Sequence, residues 1–408
     1  MAINSTKPAP ARTSALSSSH LWLLTAGGFY AFFVFGFVDN LKGPTLPALL
    51  RDLNLSYGQG GTILFSAYLG FMVATLLMGV LADAAGNKAV LMLAGICLTI
   101  GLTAFSFASL FWLLALALFV VGLGLGAIEV GGNALIVNLH SHDRGRYLNL
   151  LAVFHGVGSF LVPLFAAQLL RSDFTWRQVY QLSIGLAVAL ALFFILVKYP
   201  HQAPAAGEGL KLRTLFAAGF TRRMTWYYLL VTAYVAAEIG IAAWIVEFLQ
   251  QVKGFDVATS SLYLSLFFAA IMVGRFAGSF VVERIGYVKV MLGATIVAIV
   301  CLAAGIFGPS AFTFLLPLTG LFFSIMFPTT TASVSALHTM NLGAILGVLF
   351  TFGGLGGALG PWAIGAAADW VGIELAFALN LLFCVIMLMA LLMLHRGGRV
   401  AVDTPAAH

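Results

Sequence analysis

Charged residues are scarce in this chain of 408 residues: they make up 8%, against 61% hydrophobic residues and a mean hydropathy of +1.04. A soluble globular domain carries roughly 25% charged residues, so the composition excludes one. The three cysteines show no ligand or disulfide spacing, and neither a nucleotide-binding loop nor an H-E-x-x-H motif occurs. These absences argue against an enzyme or a signalling protein and predict no metal and no cofactor. The sequence indicates an integral membrane protein whose surroundings are the lipid bilayer.

Long apolar segments follow one another along the chain. They run roughly 18–28 residues, which suits helices that cross a hydrocarbon core about 30 Å thick and is too long for the strands of a membrane barrel. We therefore predict an all-α membrane protein with twelve transmembrane helices. These spans 1 to 12 are expected at 21–48, 60–82, 88–109, 111–138, 147–170, 178–198, 224–250, 258–282, 288–308, 311–338, 342–367 and 372–395.

Two sequence patterns recur about 200 residues apart. GVLADAAGNK at 79–88 returns as SFVVERIGYV at 279–288, and FHGVGSFLVP at 154–163 returns as FGGLGGALGP at 352–361. Two repeated patterns separated by nearly the same number of residues indicate that the chain consists of two homologous halves. Secondary transporters have this architecture. The alignment pairs Asp83 with Glu283, Gly86 with Gly286, Phe154 with Phe352, Gly156 with Gly354, Gly158 with Gly356 and Pro163 with Pro361.

The duplication predicts two six-helix bundles related by pseudo-symmetry. We expect a disordered cytoplasmic tail at 1–20, a bundle at 21–198, a basic linker at 199–223, a second bundle at 224–396 and a tail at 397–408.

The basic residues predict the orientation in the membrane. With twelve spans, fifteen of the twenty Lys and Arg, including Arg275, fall on the side of the N-terminus, and five fall on the other side. The positive-inside rule then places both termini in the cytoplasm, and the net charge of +6 needs no nucleic-acid partner. We expect a multi-pass protein of the inner or plasma membrane that acts as a monomer. The five residues on the other side are Lys42, Arg51, Arg171, Arg177 and Lys253.

The repeated loop between spans 2 and 3 has a mechanical interpretation. A glycine-rich helix end followed by a carboxylate, a glycine and a basic residue lets two helices approach closely and places an acid that can be paired and released. The loop resembles the G-x-L-x-D-x-x-G-x-[KR] signature of the major facilitator superfamily, with Ala84 and Asn87 in place of basic residues. This resemblance implies two bundles that rock about a central site; the alternative is a generic tight turn. The expected gating residues are Asp83, Gly86, Lys88, Glu283, Arg284 and Gly286.

Three acidic residues fall inside predicted spans: Asp39, Glu129 and Glu238. An ionised group at this depth costs at least ~2.5–3.5 kcal/mol, so each acid needs a compensating partner or a function such as carrying a proton. In span 4, Gly126, Glu129 and Asn133 share one helical face, so a carboxyl and a carboxamide are expected on one cavity wall. We predict a role in proton coupling for all three acids. The alternative is a structural hydrogen bond between helices.

Several motifs resemble the fucose–galactose–glucose:proton symporter family, the fucose permease branch of the superfamily. They are GAIEVGGN in span 4, FHGVGSFLVP in span 5, YVAAEIGIAAW in span 7 and GLFFSIMFPTTTASVSA in span 10. The resemblance implies proton-coupled uptake of a hexose, with the family's span-4 carboxylate at Glu129. Aligned through Pro47, the family's span-1 acid falls at Gly43, one turn after Asp39.

Sugar recognition requires amides, hydroxyls and an aromatic platform in an otherwise apolar cleft. His155 has the alternative of a packing group, and Trp244 that of a membrane-interface anchor. A proton-driven exporter of hydrophobic drugs or lipids is the competing function, because the 12 Met and 35 Phe residues suit a nonpolar cavity. The expected substrate-binding residues are Asn40, Asn133, His155, Tyr234, Trp244, Thr329 and Trp362.

Overall fold

The computed structural model describes residues 18–141, 143–199, 220–338 and 342–402. The described residues are helical almost throughout and include no strand. Twelve of their helices are long and apolar enough to cross a membrane, which confirms the predicted fold class. In order, spans 1 to 12 are Ser18–Asp52, Tyr57–Ala82, Ala84–Phe107, Phe111–Leu139, Arg144–Arg171, Trp176–Leu196, Arg222–Gln251, Val257–Gly278, Tyr287–Phe307, Ser310–Leu337, Ile345–Phe377 and Leu379–Arg396.

Helix ends differ from the predicted domain limits by a few residues. The first helix begins at Ser18, inside the expected tail, and the last one continues to Val402. The helix of span 7 begins at Arg222, inside the expected linker. The rest of both tails (1–17 and 403–408) and most of the linker lie outside the described residues.

Span 1 consists of two helices, Ser18–Asn40 and Lys42–Asp52, that are interrupted at Leu41. Pro44 explains the interruption, since proline has no N–H to bond the carbonyl four residues earlier and its ring pushes that carbonyl away. The interruption lies inside span 1, and it leaves the polar residues around it close together.

The two copies of the repeated loop share one backbone conformation. The helix Tyr57–Phe107 contains spans 2 and 3 and breaks at Gly86, where φ is 82°. The helix Val257–Ile285 ends at Gly286, where φ is 93°. A side chain at either position would be strained, because L-residues with a Cβ rarely adopt such angles. The pairing of Gly86 with Gly286 therefore has a structural basis.

The glycines of the second repeated pattern, at 154–163 and 352–361, lie where two helices of the same half pack closely. In the first half, Gly158 of span 5 lies against span 1, and a Cβ there would overlap the carbonyl of Phe33. In the second half, Gly356 of span 11 lies against span 7, and a Cβ would overlap the carbonyl of Thr232. Helices in lipid associate through such close backbone approaches, since there is no hydrophobic effect to drive them together.

The halves meet along spans 2 and 11 and along spans 5 and 8. Met72 of span 2 fills the space beside Gly354 of span 11, and Met272 of span 8 fills the space beside Gly156 of span 5. Each contact joins a methionine of one half to a glycine of the other. The pseudo-symmetry therefore extends across the interface between the bundles.

Candidate functional site

A cluster of polar side chains surrounds the interruption of span 1. Lys42 Nζ lies 2.7 Å from Asp39 Oδ1, and the Tyr68 hydroxyl of span 2 donates a hydrogen bond of 3.2 Å to Asp39 Oδ2. Lys42 Nζ also lies 4.9 Å from the centroid of the Tyr68 ring. Lys42 lies inside span 1, as the predicted span 21–48 has it, and is only 8% exposed.

Both halves of the molecule line a small cavity beside this cluster. Its volume is about 10 Å³, room for no more than one water molecule. A hexose cannot occupy it in this conformation. Its walls are formed by Asp39, Asn40, Lys42, Gly43, Leu64 and Tyr68 of the first half and by Ile239, Ala242, Ala243 and Pro361 of the second.

A second polar cluster lies in the other half. Glu238 of span 7 and Arg275 of span 8 interact electrostatically, although they form no direct ion pair. The Tyr234 hydroxyl lies near both and forms no hydrogen bond of normal geometry, and neither does Arg275 Nε. Arg275 lies within span 8, as the predicted span 258–282 has it, but it was not among the predicted site residues. The available signal was a lone arginine in an otherwise apolar span.

His155 connects the two clusters. It lies on span 5 within the electrostatic field of both Asp39 and Arg275, and its ring meets the edge of Phe35 at a centroid distance of 4.8 Å. Asp39 and Glu238 also interact with each other. The structure thus brings predicted site residues from spans 1, 5 and 7 together at the boundary between the halves.

Glu129 lies apart from these clusters. Asn133, one turn later on span 4, donates hydrogen bonds to Glu129 Oε1 at 3.0 Å and to the Glu129 carbonyl at 2.7 Å. Among the described residues, the ion pairs within 4 Å are Lys42–Asp39 and Arg177–Asp52, so Glu129 has an amide partner and no cation in contact. The carboxyl and the carboxamide do share one helical face, as the spacing predicts.

The other predicted substrate residues have varied surroundings. Asn40 Nδ2 donates hydrogen bonds of 3.0 Å to the Gly36 carbonyl and to Ser159 Oγ, which ties span 1 to span 5. Trp244 is fully buried and donates from Nε1 to the Pro361 carbonyl at 2.9 Å, and it does not line the small cavity beside Asp39. Thr329 is buried, whereas Trp362 is 42% exposed. The roles of these residues in substrate binding stay predictions.

Hydrogen bonds between the halves concentrate at one side of the membrane, where spans 1, 7 and 11 end and span 2 begins. Asp369 Oδ2 accepts from Ser56 Oγ at 2.8 Å and from the Gly58 N–H at 3.0 Å. Tyr57 donates to Glu247 Oε1 at 3.0 Å, and its ring packs edge-on against Trp244. These contacts and the hydrogen bond from Arg51 to Gln250 are called the seal. The seal closes the central cavity on this side.

On the opposite side, the predicted gating residues make no such bonds within the described part of the chain. Lys88 Nζ donates to the carbonyls of Ile195 and Val197, at 3.2 Å and 2.8 Å, in its own half. Arg284 is exposed, and Gly86 and Gly286 face open space. The side chains of Asp83 and Glu283 lie outside the described residues.

A larger cavity of about 370 Å³ lies between spans 1 and 5 and is almost entirely apolar. The hydroxyl of Tyr30 in its wall already donates to the Leu186 carbonyl at 3.0 Å. This cavity therefore offers little to a polar ligand. The remaining lining residues are Ala26, Phe29, Phe33, Phe154 and Val157.

Comparison with known proteins gives matches along nearly the whole chain. The sequence profile of the Major Facilitator Superfamily matches residues 28–316 and 254–407. The "Glucose/galactose transporter" of Brucella abortus is 28% identical over 373 residues, which are 86% of this chain and 89% of that protein. The "L-fucose-proton symporter" of Escherichia coli is 23% identical over 353 residues, with 76% and 78% covered.

Solved structures agree with the fold. A crystal structure of a mutant of the nucleoside transporter NupG superposes with a TM-score of 0.80 at 14% identity and covers 92% of this chain and 99% of that chain.

Proposed function

Because this chain belongs to the major facilitator superfamily, we propose that it carries a hexose-type sugar together with protons across the membrane by alternating access. The chain is a transporter and not an enzyme. The names of its relatives in Brucella abortus and Escherichia coli, a glucose/galactose transporter and an L-fucose-proton symporter, support the sugar and the proton.

The observation that carries the proposal is the composition of the boundary between the halves. A hexose is neutral and brings several hydroxyls, each of which needs a hydrogen-bond partner in a dry site. Amide, hydroxyl, imidazole and carboxyl groups converge there from both bundles, and the direct ion pair, Lys42–Asp39, is neutral. An anionic substrate requires a surplus of positive charge, and a lipophilic cation gains little from amides. A neutral polyol fits this site best.

Alternating access follows from the distribution of contacts. The seal joins the halves on one side, and the cavity beside Asp39 is too small for a sugar while the seal is closed. We propose that the bundles at 21–198 and 224–396 rock as two bodies, opening and closing the seal around the central residues. We place both termini in the cytoplasm, so the seal lies on the outer side of the membrane and must open to give the outward-facing state.

The residue roles complete the proposal. Glu129, Asp39 and Glu238 are the candidates for proton coupling, and Glu129 is the acid whose contact partner is an amide alone. Asp83, Gly86, Lys88, Glu283, Arg284 and Gly286 control closure on the cytoplasmic side. Asn40, Asn133, His155, Tyr234, Trp244, Thr329 and Trp362 bind the sugar in the states where the central cavity is enlarged.

Reconstitution of the purified chain into proteoliposomes tests the function. An inward proton gradient should drive uptake of one or more of glucose, galactose, mannose and fucose above the equilibrium level, and a protonophore should abolish that accumulation. Absence of uptake for all four hexoses, combined with proton-driven transport of a lipophilic cation, would replace the sugar symporter by a hydrophobic exporter.

A further inference from the structure

Lys42 has no role in the mechanism so far, although it is buried inside a membrane span. It begins the second helix of span 1 and is 8% exposed. An ammonium group at this depth is costly unless a carboxylate compensates it, and that carboxylate is Asp39 at 2.7 Å. A lysine placed here has a function beyond helix formation, because an apolar residue would fill the position without this cost.

The groups around Asp39 come from four spans. Lys42 occupies Oδ1, and the Tyr68 hydroxyl of span 2 occupies Oδ2. His155 of span 5 and Glu238 of span 7 lie within the electrostatic field of Asp39, with Arg275 of span 8 beyond them. Among the described residues, Lys42 is the cation in direct contact with this carboxylate.

Asp39 and Lys42 also belong to the same half of the molecule. Asp39 and Lys42 are three residues apart on the same span, and the ring of Tyr68, which both contact, packs against Gly357 of the opposite half. When the halves rock, a counter-ion on the same span stays with its acid, whereas a partner on the other half would leave it. We therefore expect the pair to stay neutral in the outward-facing and the inward-facing state alike.

We propose that Lys42 is a permanent internal counter-ion that removes Asp39 from the proton-carrying residues, so that Asp39 and Lys42 together position Tyr68 and the sugar while Glu129 carries the transported proton. This inference rests on the proposed sugar–proton symport. It distinguishes two acids that the sequence treats alike: Glu129 has an amide partner on its own helix, and Asp39 has an ammonium.

Charge-pair rescue tests the proposal. Lys42→Gln leaves an unpaired carboxylate and Asp39→Asn an unpaired ammonium, so each should lower proton-driven hexose accumulation at least ~10-fold. In the double variant Asp39→Asn/Lys42→Gln, two neutral amides replace the pair, and accumulation should recover at least ~10-fold above either single variant. A double variant that only equilibrates the sugar across the membrane would show that Asp39 carries the proton.

Lys253→Gln is the matched control. Lys253 is also partly buried, but it donates to the carbonyls of Ile306 and Gly308 at 2.8 Å and 3.1 Å and forms no ion pair with any described acid. Combining Lys253→Gln with Asp39→Asn should give no recovery. Recovery in this combination would overturn the proposal, because any lost lysine would then compensate for the lost acid.

The proton count provides a second readout, which separates a counter-ion pair from a proton carrier. In the double variant Asp39→Asn/Lys42→Gln no acid remains at this position, so the proton-to-hexose ratio from reversal potentials should equal the wild-type ratio if Glu129 alone carries the proton. A ratio lowered by one would overturn the proposal, because Asp39 would then carry a proton in the wild type.

Failure of the wild type to accumulate any hexose would refute the proposed function instead. The pair would then be tested by thermal unfolding in detergent, where the two single substitutions should each lower the unfolding temperature and the double variant should restore it. Additive losses would overturn the pairing itself.

Discussion

The carboxylate of Asp369 accepts a hydrogen bond of 3.0 Å from the backbone N–H of Gly58, across the boundary between the two halves. Gly58 lies in the first turn of the helix that begins at Tyr57, where N–H groups have no partner within the helix. Ser56 caps this helix through Gln59 and also donates its hydroxyl to Asp369 at 2.8 Å. An acid from the second half thus completes the cap of a helix in the first half, and it can do so only while the seal is closed.

Asp369→Asn should open the seal. The amide keeps one acceptor but loses the charge that strengthens both bonds and favours the helix N-terminus, a loss of about 1–2 kcal/mol. The outward-open population should rise roughly 5- to 30-fold. A cysteine at Ala243 beside the central cavity, in a background without Cys97, Cys301 and Cys384, should then react faster with an impermeant thiol reagent added on the side of the seal.

Asp256→Asn is the matched control for that experiment. Asp256 precedes span 8 near the same side and caps its own helix by accepting from the Thr259 N–H at 2.6 Å. This backbone hydrogen bond holds the pKa of Asp256 below its usual value, so the control also removes a full charge at neutral pH. Equal labelling rates in both variants would reduce Asp369 to an ordinary surface acid.

Glu129→Gln should uncouple transport from protons. Glutamine resembles the protonated acid, so the variant should still exchange labelled for unlabelled hexose while losing accumulation against a gradient. Its amide can also keep the contact with Asn133. Counterflow and gradient-driven uptake in the same vesicles separate the two activities. Wild-type accumulation in this variant would assign the proton to another acid.

Asn133→Leu should weaken hexose binding. Asn133 gives its N–H to Glu129, and no described residue donates to its Oδ1, which leaves that oxygen for a sugar hydroxyl. An unmatched hydroxyl costs ~1–3 kcal/mol, so affinity should fall by ~10-fold or more. Binding of glucose, galactose, mannose and fucose should be measured beside that of a lipophilic cation. A hydrophobic-drug exporter would bind the cation as well as before or better and show no hexose binding in either form.

Gly158→Ala and Gly356→Ala should each destabilise their half. The added methyl overlaps the backbone of span 1 or span 7, and forcing the helices apart should lower the thermal unfolding temperature by several degrees for a loss of ~1–3 kcal/mol. Gly185→Ala and Gly293→Ala are the controls, because a Cβ at either position meets nothing within 4 Å. If the Gly158 and Gly356 variants unfold at the same temperatures as the two control variants, the repeated glycines are not required for a close contact between helices.

The site was only partly predictable from sequence. Asp39, Glu129 and Glu238 stand out because an acid inside an apolar run is unusual wherever it packs. Lys42 and Arg275 were placed inside spans 1 and 8 but were not predicted as site residues, because the long side chain of a basic residue within a span can extend to the membrane surface. Trp244 was predicted to bind the sugar because an aromatic ring can stack on one, but in this conformation it packs beneath the seal. A pattern of residues shows which groups lie in the membrane, and it does not show which of them meet.

The sequence by itself determined that the protein lies in a membrane and that it has twelve spans in two homologous halves. It also determined which glycines are needed for the turns and for the closest contacts between helices. These follow from local rules, because span length, burial of backbone groups and positive φ angles act within a single helix or loop. The tertiary structure alone decided that Lys42 pairs with Asp39, that Arg275 lies beside Glu238 and that Asp369 closes the seal on Gly58. Pairings between spans and between the halves depend on how whole helices rotate and approach, and in lipid that choice is made by packing and hydrogen bonds among all of them at once.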